Sequence, residues 1–108
     1  MRIYVAGPYS APTEQEREAN ANRAIDAGIA IAEKGYTPFI PHMNHMWAIR
    51  GEMKGIEYPW EFWIDWCLEW LSLCDGILFL GASPGANVEL KYAKEAGMPI
   101  YYSVDEIK

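Results

Sequence analysis

The sequence predicts an α/β domain in which a short parallel sheet lies between layers of helices. Short apolar runs alternate along the chain with longer segments of helical period, and such alternation is typical of a parallel sheet with crossover helices. The chain has 108 residues, of which 51% are hydrophobic, so it is long enough to bury one continuous core. We therefore expect one domain that spans residues 1–108.

Four apolar runs predict the strands, at residues 3–6, 36–40, 76–80 and 100–102. Pro38 lies within the second run and cannot donate to a ladder, which places that strand at a sheet edge. The third run is apolar throughout, as expected for a central strand that is covered on both faces.

Three segments predict helices, at residues 13–34, 58–75 and 86–96. Thr13 and Glu16 have capping-box spacing, Pro59 suits a first helical turn, and Gly97 is a typical terminator. Residues 42–57 show no sustained period. We expect them to form the longest irregular segment, and such loops are often functional.

Right-handed crossovers give the strand order 2-1-3-4, which is flavodoxin/Rossmann-like. In this order the winding of the chain reverses between strands one and three, and ligands bind at that switch, outside the carboxyl ends of the strands. The loops at residues 7–10 and 81–85 meet there. Gly7, Pro8 and Tyr9 are therefore candidate binding residues.

Glu89 is the strongest candidate for chemistry, because the predicted topology puts it in the first turn of the helix after strand three. The helix dipole favours its ionised form, which suits a nucleophile. An alternative stays open: acidic residues near a helix start commonly do no more than complement the dipole.

Polar groups near Glu89 predict a ligand cradle. Ser83, Gly85 and Asn87 offer a hydroxyl, an amide and backbone N–H groups that suit a phosphate, although an ordinary capped turn would look the same. The P-loop pattern and the Gly-x-Gly-x-x-Gly pattern are both absent, which disfavours those two kinds of nucleotide site. No cofactor is expected.

Aromatic and imidazole side chains complete the candidate set. Tyr4 precedes Gly7 by three residues, so its hydroxyl either reaches the crevice or packs in the core. His42 and His45 have His-x-x-His spacing without a third ligand, so we expect contacts to a base or sugar and no metal. Stacking of a base on Trp47 or Tyr9 is a further possibility.

Composition and charge exclude several classes of function. A net charge of −6 disfavours a nucleic-acid polymer as partner, because phosphate backbones require a basic stripe. Neither a signal peptide nor an apolar run of about 20 residues is present, which predicts a cytoplasmic protein without membrane contact. Cys67 and Cys74 are about 10 Å apart along a helix, too far for a disulfide, and are expected to be buried thiols.

Three segments resemble the nucleoside 2-deoxyribosyltransferase superfamily, including its 2'-deoxynucleoside 5'-phosphate N-hydrolase branch and its small uncharacterised relatives. These segments lie at residues 4–9, 68–75 and 83–89, followed by Tyr92-Ala93 and Gly97-Met98-Pro99. The most specific part is Ser-x-Gly-x-x-x-Glu after a hydrophobic strand.

The resemblance implies an N-glycosidase or a deoxyribosyltransferase that acts on a nucleoside or its 5'-monophosphate. It implies that Glu89 attacks the anomeric carbon, that Tyr4 positions Glu89, and that Ser83 and Gly85 hold a 5'-phosphate. It also implies a homodimer or a higher homo-oligomer, for which the aromatic helix after Pro59 offers a surface.

One position departs from the family pattern. Cys67 stands where the family has an aspartate that hydrogen-bonds the leaving base or the sugar. Asp65 lies about 200° away around a helix and does not replace it. Two alternatives therefore stay open, namely a non-catalytic nucleotide-binding module and a purely structural role of the aromatic helix.

Overall fold

Four short parallel strands form the centre of the fold. The computed structural model describes residues 1–108, with strands β1 (Arg2–Ala6), β2 (Thr37–Phe39), β3 (Gly76–Phe79) and β4 (Ile100–Tyr101). Their order in the sheet is β2-β1-β3-β4. The predicted order and the predicted α/β class are confirmed.

Four α-helices and two 3₁₀ turns connect or follow these strands. The helices are α1 (Glu14–Glu33), α2 (His45–Met53), α3 (Trp60–Leu71) and α4 (Pro84–Glu95), and the 3₁₀ turns are Pro41–Asn44 and Val104–Glu106. Thr13 caps α1 by accepting a hydrogen bond from the Glu16 backbone N–H, as its spacing predicts. No helix is long and apolar enough to cross a bilayer.

The sheet separates two hydrophobic cores, because successive side chains of a strand point to opposite faces. Ile3 and Val5 of β1 pack in a core with residues of α1, whereas Tyr4 and Ala6 pack on the other face against residues of α3 and α4. This alternation aims the Tyr4 side chain at the face that carries α4.

The prediction of an irregular segment over residues 42–57 is wrong. The chain forms the 3₁₀ turn Pro41–Asn44 and then α2 over His45–Met53. Met46 and Met53 of α2 are both 71% exposed, whereas Gly51 is buried. The apolar residues therefore do not mark the buried face, and the hydrophobic period that normally reveals a helix is missing.

Helix α4 begins two residues earlier than predicted, at Pro84, with Ser83 as its N-cap. Glu89 therefore lies in the second turn of the helix and not in the first. Since the field of the helix dipole falls off within the first turn, the dipole acts only weakly on this carboxyl group.

Candidate active site

A cavity of about 520 Å³ opens where the loops after β1 and β3 meet. These loops approach closely: a Cβ added at Gly7 would lie 3.0 Å from Cβ of Leu80, so a glycine allows this approach. The predicted site residues that line the cavity are Gly7, Tyr9, His42, Ser83, Gly85 and Glu89. Further lining residues, which the sequence did not single out as binding residues, include Asn44, Ala48, Tyr58, Trp60, Trp63, Ile64 and Cys67.

Glu89 and Tyr4 form a buried hydrogen-bonded pair at the cavity wall. The Tyr4 hydroxyl donates to Oε2 of Glu89, and the two residues are 0% and 6% exposed respectively. The Tyr4 ring stacks on Phe39 at 5.7 Å between centroids, which fixes the direction of its hydroxyl. Tyr4 thus supports Glu89 from behind, and Glu89 faces the cavity.

Burial determines the charge state of Glu89. Loss of solvation raises the pKa of this carboxyl to about 7, and the hydrogen bonds from Tyr4 and Cys67 oppose this rise only in part. The expectation that the helix dipole keeps Glu89 ionised is wrong, because desolvation outweighs a dipole that reaches the second turn weakly. At neutral pH Glu89 exchanges readily between its two protonation states.

Cys67 stands beside the Tyr4–Glu89 pair. Burial raises the pKa of its thiol to about 12, so the thiol is protonated at neutral pH. Cys67 and Cys74 are half-buried free thiols and not fully buried ones. Asp65 lies elsewhere, in an open groove of about 630 Å³ between α3 and α4 that contains neither Tyr4 nor Glu89.

The start of α4 forms one wall of the cavity. The Ser83 Oγ accepts a hydrogen bond from the Ala86 backbone N–H at 3.1 Å, and Gly85 lines the cavity in the first turn. Asn87 does not belong to this wall, because its side chain is exposed on the outer side of the helix and does not line the cavity. Pro8 is also absent from the lining, and packs near Gly81.

His42 contributes a neutral imidazole with one unused acceptor. Its Nε2–H donates to the Gly7 carbonyl oxygen at 3.0 Å, so in the neutral ring Nδ1 is an acceptor, and this buried atom has no hydrogen-bond partner. Burial keeps the pKa of His42 below its ordinary value. Nδ1 is closed off from the cavity by surrounding protein atoms, so it is an unsatisfied buried acceptor and not an exposed ligand contact.

His45 lies behind the cavity and not in its lining. Its Nδ1 is 2.6 Å from the Tyr9 hydroxyl, and its Nε2 is 3.0 Å from Oε1 of Glu14. Tyr9 therefore connects the cavity to a histidine and a carboxylate. The sequence predicted both Tyr9 and His45 as binding residues but gave no sign of Glu14.

Aromatic side chains form the apolar part of the cavity wall. Tyr58, Trp60 and Trp63 line the cavity. Trp47 does not line it, but packs on Tyr58 and Trp63, with centroids 5.5 Å and 4.8 Å apart. The cavity therefore offers aromatic surfaces for stacking, although not the surface of Trp47.

The cavity lining carries no lysine or arginine side chain. No cluster of three or more His, Cys, Asp or Glu side chains is arranged to hold a metal ion. Glu89 is the one carboxyl group among the lining residues.

Fold and site together define a parallel α/β protein with a buried carboxyl at its switch point. The chain matches the profile of the family described as a domain of unknown function, DUF4406, over residues 1–102, and it belongs to this family. The comparison with curated proteins found no match.

Proposed function

We propose that the protein cleaves or transfers the N-glycosidic bond of a deoxynucleoside, a nucleoside or the corresponding 5'-monophosphate, with Glu89 as nucleophile. The observation that carries this proposal is the buried pair of Tyr4 and Glu89 at the wall of a cavity of about 520 Å³. This volume lies within the range of about 300–1,000 Å³ that is usual for small-molecule sites.

The chemistry needs a carboxylate with one free oxygen. Tyr4 occupies Oε2, which leaves Oε1 to attack the anomeric carbon while the bond to the base breaks and its electron pair departs with the base. The resulting glycosyl ester is then opened by water or by a second base, as in retaining glycosidases. Hydrolysis and transfer share this intermediate.

The lining supports a nucleoside as the ligand. Tyr58, Trp60 and Trp63 offer aromatic faces to a base. The start of α4 at Ser83 and Gly85 suits a 5'-phosphate. With no lysine or arginine in the lining, the α4 N-terminus would carry the electrostatic share of phosphate binding.

A panel of nucleosides and their 5'-monophosphates, assayed for free base, tests the proposal. We expect base release by the wild type and background levels with Glu89→Gln, a variant that keeps the shape and removes the nucleophile. Glu95→Gln is the matched control, because Glu95 lies exposed on the same helix. A folded wild type that is inactive on the whole panel between pH 5 and 9 would refute the catalytic proposal.

A non-catalytic binding module is the second candidate. It is favoured by the Cys67 thiol, whose pKa of about 12 makes it a weak proton donor beside Glu89. This alternative predicts saturable heat of nucleotide binding in calorimetry without any release of base. The predicted homodimer and the predicted cytoplasmic location stay predictions, of which the first is testable by mass measurement in solution.

A further inference from the structure

Three side chains form a hydrogen-bonded line that ends at the cavity. Glu14 is an acceptor, so Nε2 of His45 donates to its Oε1 at 3.0 Å. The Tyr9 hydroxyl oxygen lies 2.6 Å from Nδ1 of His45. When His45 is neutral, this nitrogen accepts a hydrogen bond from Tyr9; when His45 is protonated, Nδ1–H donates to the Tyr9 oxygen and the hydroxyl proton is free to point into the cavity. Tyr9 itself lines the same cavity as Glu89.

Tyr9 differs from Cys67, His42 and Tyr58, the other titratable groups of the lining that carry a proton, because its hydroxyl is hydrogen-bonded to a histidine outside the cavity. Cys67 is a weak acid, with a thiol pKa of about 12. The Nε2 proton of His42 is committed to the Gly7 carbonyl, and its Nδ1 carries only a lone pair. Tyr58 accepts from Nε1 of Trp47 at 3.1 Å and has no histidine or carboxylate among its hydrogen-bond partners.

We propose that Tyr9, His45 and Glu14 are a proton relay, in which Tyr9 protonates the leaving base and later receives the proton of the attacking water. This inference rests on the proposed glycosidic chemistry at Glu89. Tyr9 is the catalytic residue of the relay because it lines the cavity in which the substrate would lie. His45 and Glu14 are positioning residues that act through it.

The steps balance in protons and electrons. In the first, Glu89 bonds to the anomeric carbon, the base departs with the electron pair of the glycosidic bond and takes the Tyr9 proton, and protonated His45 replaces that proton from Nδ1. In the second, water attacks the anomeric carbon and gives its proton to Tyr9, whose own proton returns to His45. The ester electrons return to Glu89, and the products are free base and sugar.

Several charged and titratable groups surround the Tyr9 hydroxyl. Burial raises the pKa of the Tyr9 hydroxyl, the charge of Arg17 opposes this rise, and the charges of Glu14 and Glu52 add to it. His42 packs edge-on against the Tyr9 ring at 6.3 Å. Arg17 also contacts Oε2 of Glu14 at 3.2 Å.

Leaving-group chemistry tests the role of Tyr9. Tyr9→Phe removes the relay proton, so we expect base release from a nucleoside to fall by about 100-fold, a usual share for general acid catalysis. A deoxyriboside with a nitrophenolate leaving group needs no protonation for departure, so we expect nitrophenolate in its first turnover to appear within about twofold of the wild-type rate. Tyr102→Phe, at an exposed tyrosine outside the cavity, is the control and should leave both rates unchanged.

The same two substrates test Glu14. Glu14→Gln keeps an acceptor for Nε2 of His45 but removes the carboxylate that ends the relay, so we expect base release from a nucleoside to fall while first-turnover release of nitrophenolate stays within about twofold of the wild-type rate. A merely structural role would lower both rates alike. Glu16→Gln, on the same turn of α1 and exposed, is the control.

The outcomes separate the relay from the function on which it rests. Base release by the wild type combined with equal losses of both substrates in Tyr9→Phe overturns the relay alone. Equal losses of both substrates in Glu14→Gln overturn it as well. A wild type that releases neither base nor nitrophenolate overturns the proposed function and the relay with it.

Discussion

At the scale of single residues, Tyr4 and Glu89 depend on each other. Both are buried, and a buried polar group without a partner costs about 1–3 kcal/mol, so the hydrogen bond between them satisfies two groups at once. Burial raises the pKa of Glu89, and the Tyr4 hydroxyl partly reverses this effect. Tyr4 therefore both orients the carboxyl and keeps a useful fraction of it ionised.

Removal of the Tyr4 hydroxyl should raise the pKa of Glu89 further. In Tyr4→Phe the carboxylate loses a hydrogen bond worth about 1–1.5 kcal/mol, and this corresponds to an approximately tenfold smaller ratio of ionised to protonated carboxyl. The acid limb of base release should move to higher pH accordingly. Carbon-13 NMR titration of the Glu89 carboxyl measures this change without a substrate. Tyr102→Phe should titrate as the wild type does, and an unchanged titration in Tyr4→Phe would contradict the argument.

Residue positions were easier to predict than residue environments. Strand order places β1 beside β3 and so brings Tyr4 near the start of α4, although it does not decide whether the Tyr4 hydroxyl reaches the crevice or packs in the core. The protonation of Glu89 does not follow, since it depends on burial created by several distant segments. Glu14 was missed for a related reason: its contact with His45 joins α1 to α2, and no local pattern records such a contact.

At the scale of elements, α1 and α4 begin with the same kind of side-chain N-cap. Thr13 Oγ1 accepts from the Glu16 N–H, and Ser83 Oγ accepts from the Ala86 N–H, both at 3.1 Å. The two caps differ in what lies beside them. Ser83 lines the cavity, whereas Thr13 does not.

This difference gives a matched pair of variants. Ser83→Ala and Thr13→Ala should each lower the free energy of unfolding by about 1 kcal/mol, the usual cost of a lost N-cap. Only Ser83→Ala should also weaken ligand binding, because it disturbs the wall that faces the ligand. Urea denaturation and calorimetry with a 5'-monophosphate measure the two effects. Equal weakening of binding in both variants would show that Ser83 acts through stability alone.

Elements with a regular apolar pattern were predicted correctly, and α2 was not. Helices α1, α3 and α4 start at or within two residues of their predicted beginnings. α2 exposes Met46 and Met53, while Trp47 packs into the aromatic cluster of Tyr58 and Trp63. Such contacts, together with the contact of His45 with Glu14 of α1, join α2 to other elements, and pattern analysis of residues 42–57 alone does not reveal them.

At the scale of the whole molecule, topology followed from elementary rules. The alternation of strands and helices, right-handed crossovers and the proline in β2 suffice for the order β2-β1-β3-β4. The identity of the residues that line the cavity does not follow from these rules. Its aromatic wall comes from α3 and the segment before it, at Tyr58, Trp60 and Trp63, and their placement depends on how α3 packs beside the sheet.

The buried carboxyl also makes the stability of the whole fold depend on pH. The pKa of Glu89 is raised from its ordinary 4.5 to about 7, so between these values the folded protein holds a proton that the unfolded chain releases. Rising pH therefore favours unfolding in this window, and the contribution of Glu89 falls by up to about 3 kcal/mol. Glu89→Gln removes this titration.

The unfolding free energies of the wild type and of Glu89→Gln, measured by urea denaturation at pH 5 and pH 8, isolate the effect. We expect the unfolding free energy of Glu89→Gln to rise relative to that of the wild type as the pH rises, since only the wild type must then hold a buried charge. Glu95→Gln should follow the wild type at both pH values, because Glu95 is exposed. A parallel course of wild type and Glu89→Gln would mean that the Glu89 carboxyl is already solvated in the folded state, and that burial does not control its charge.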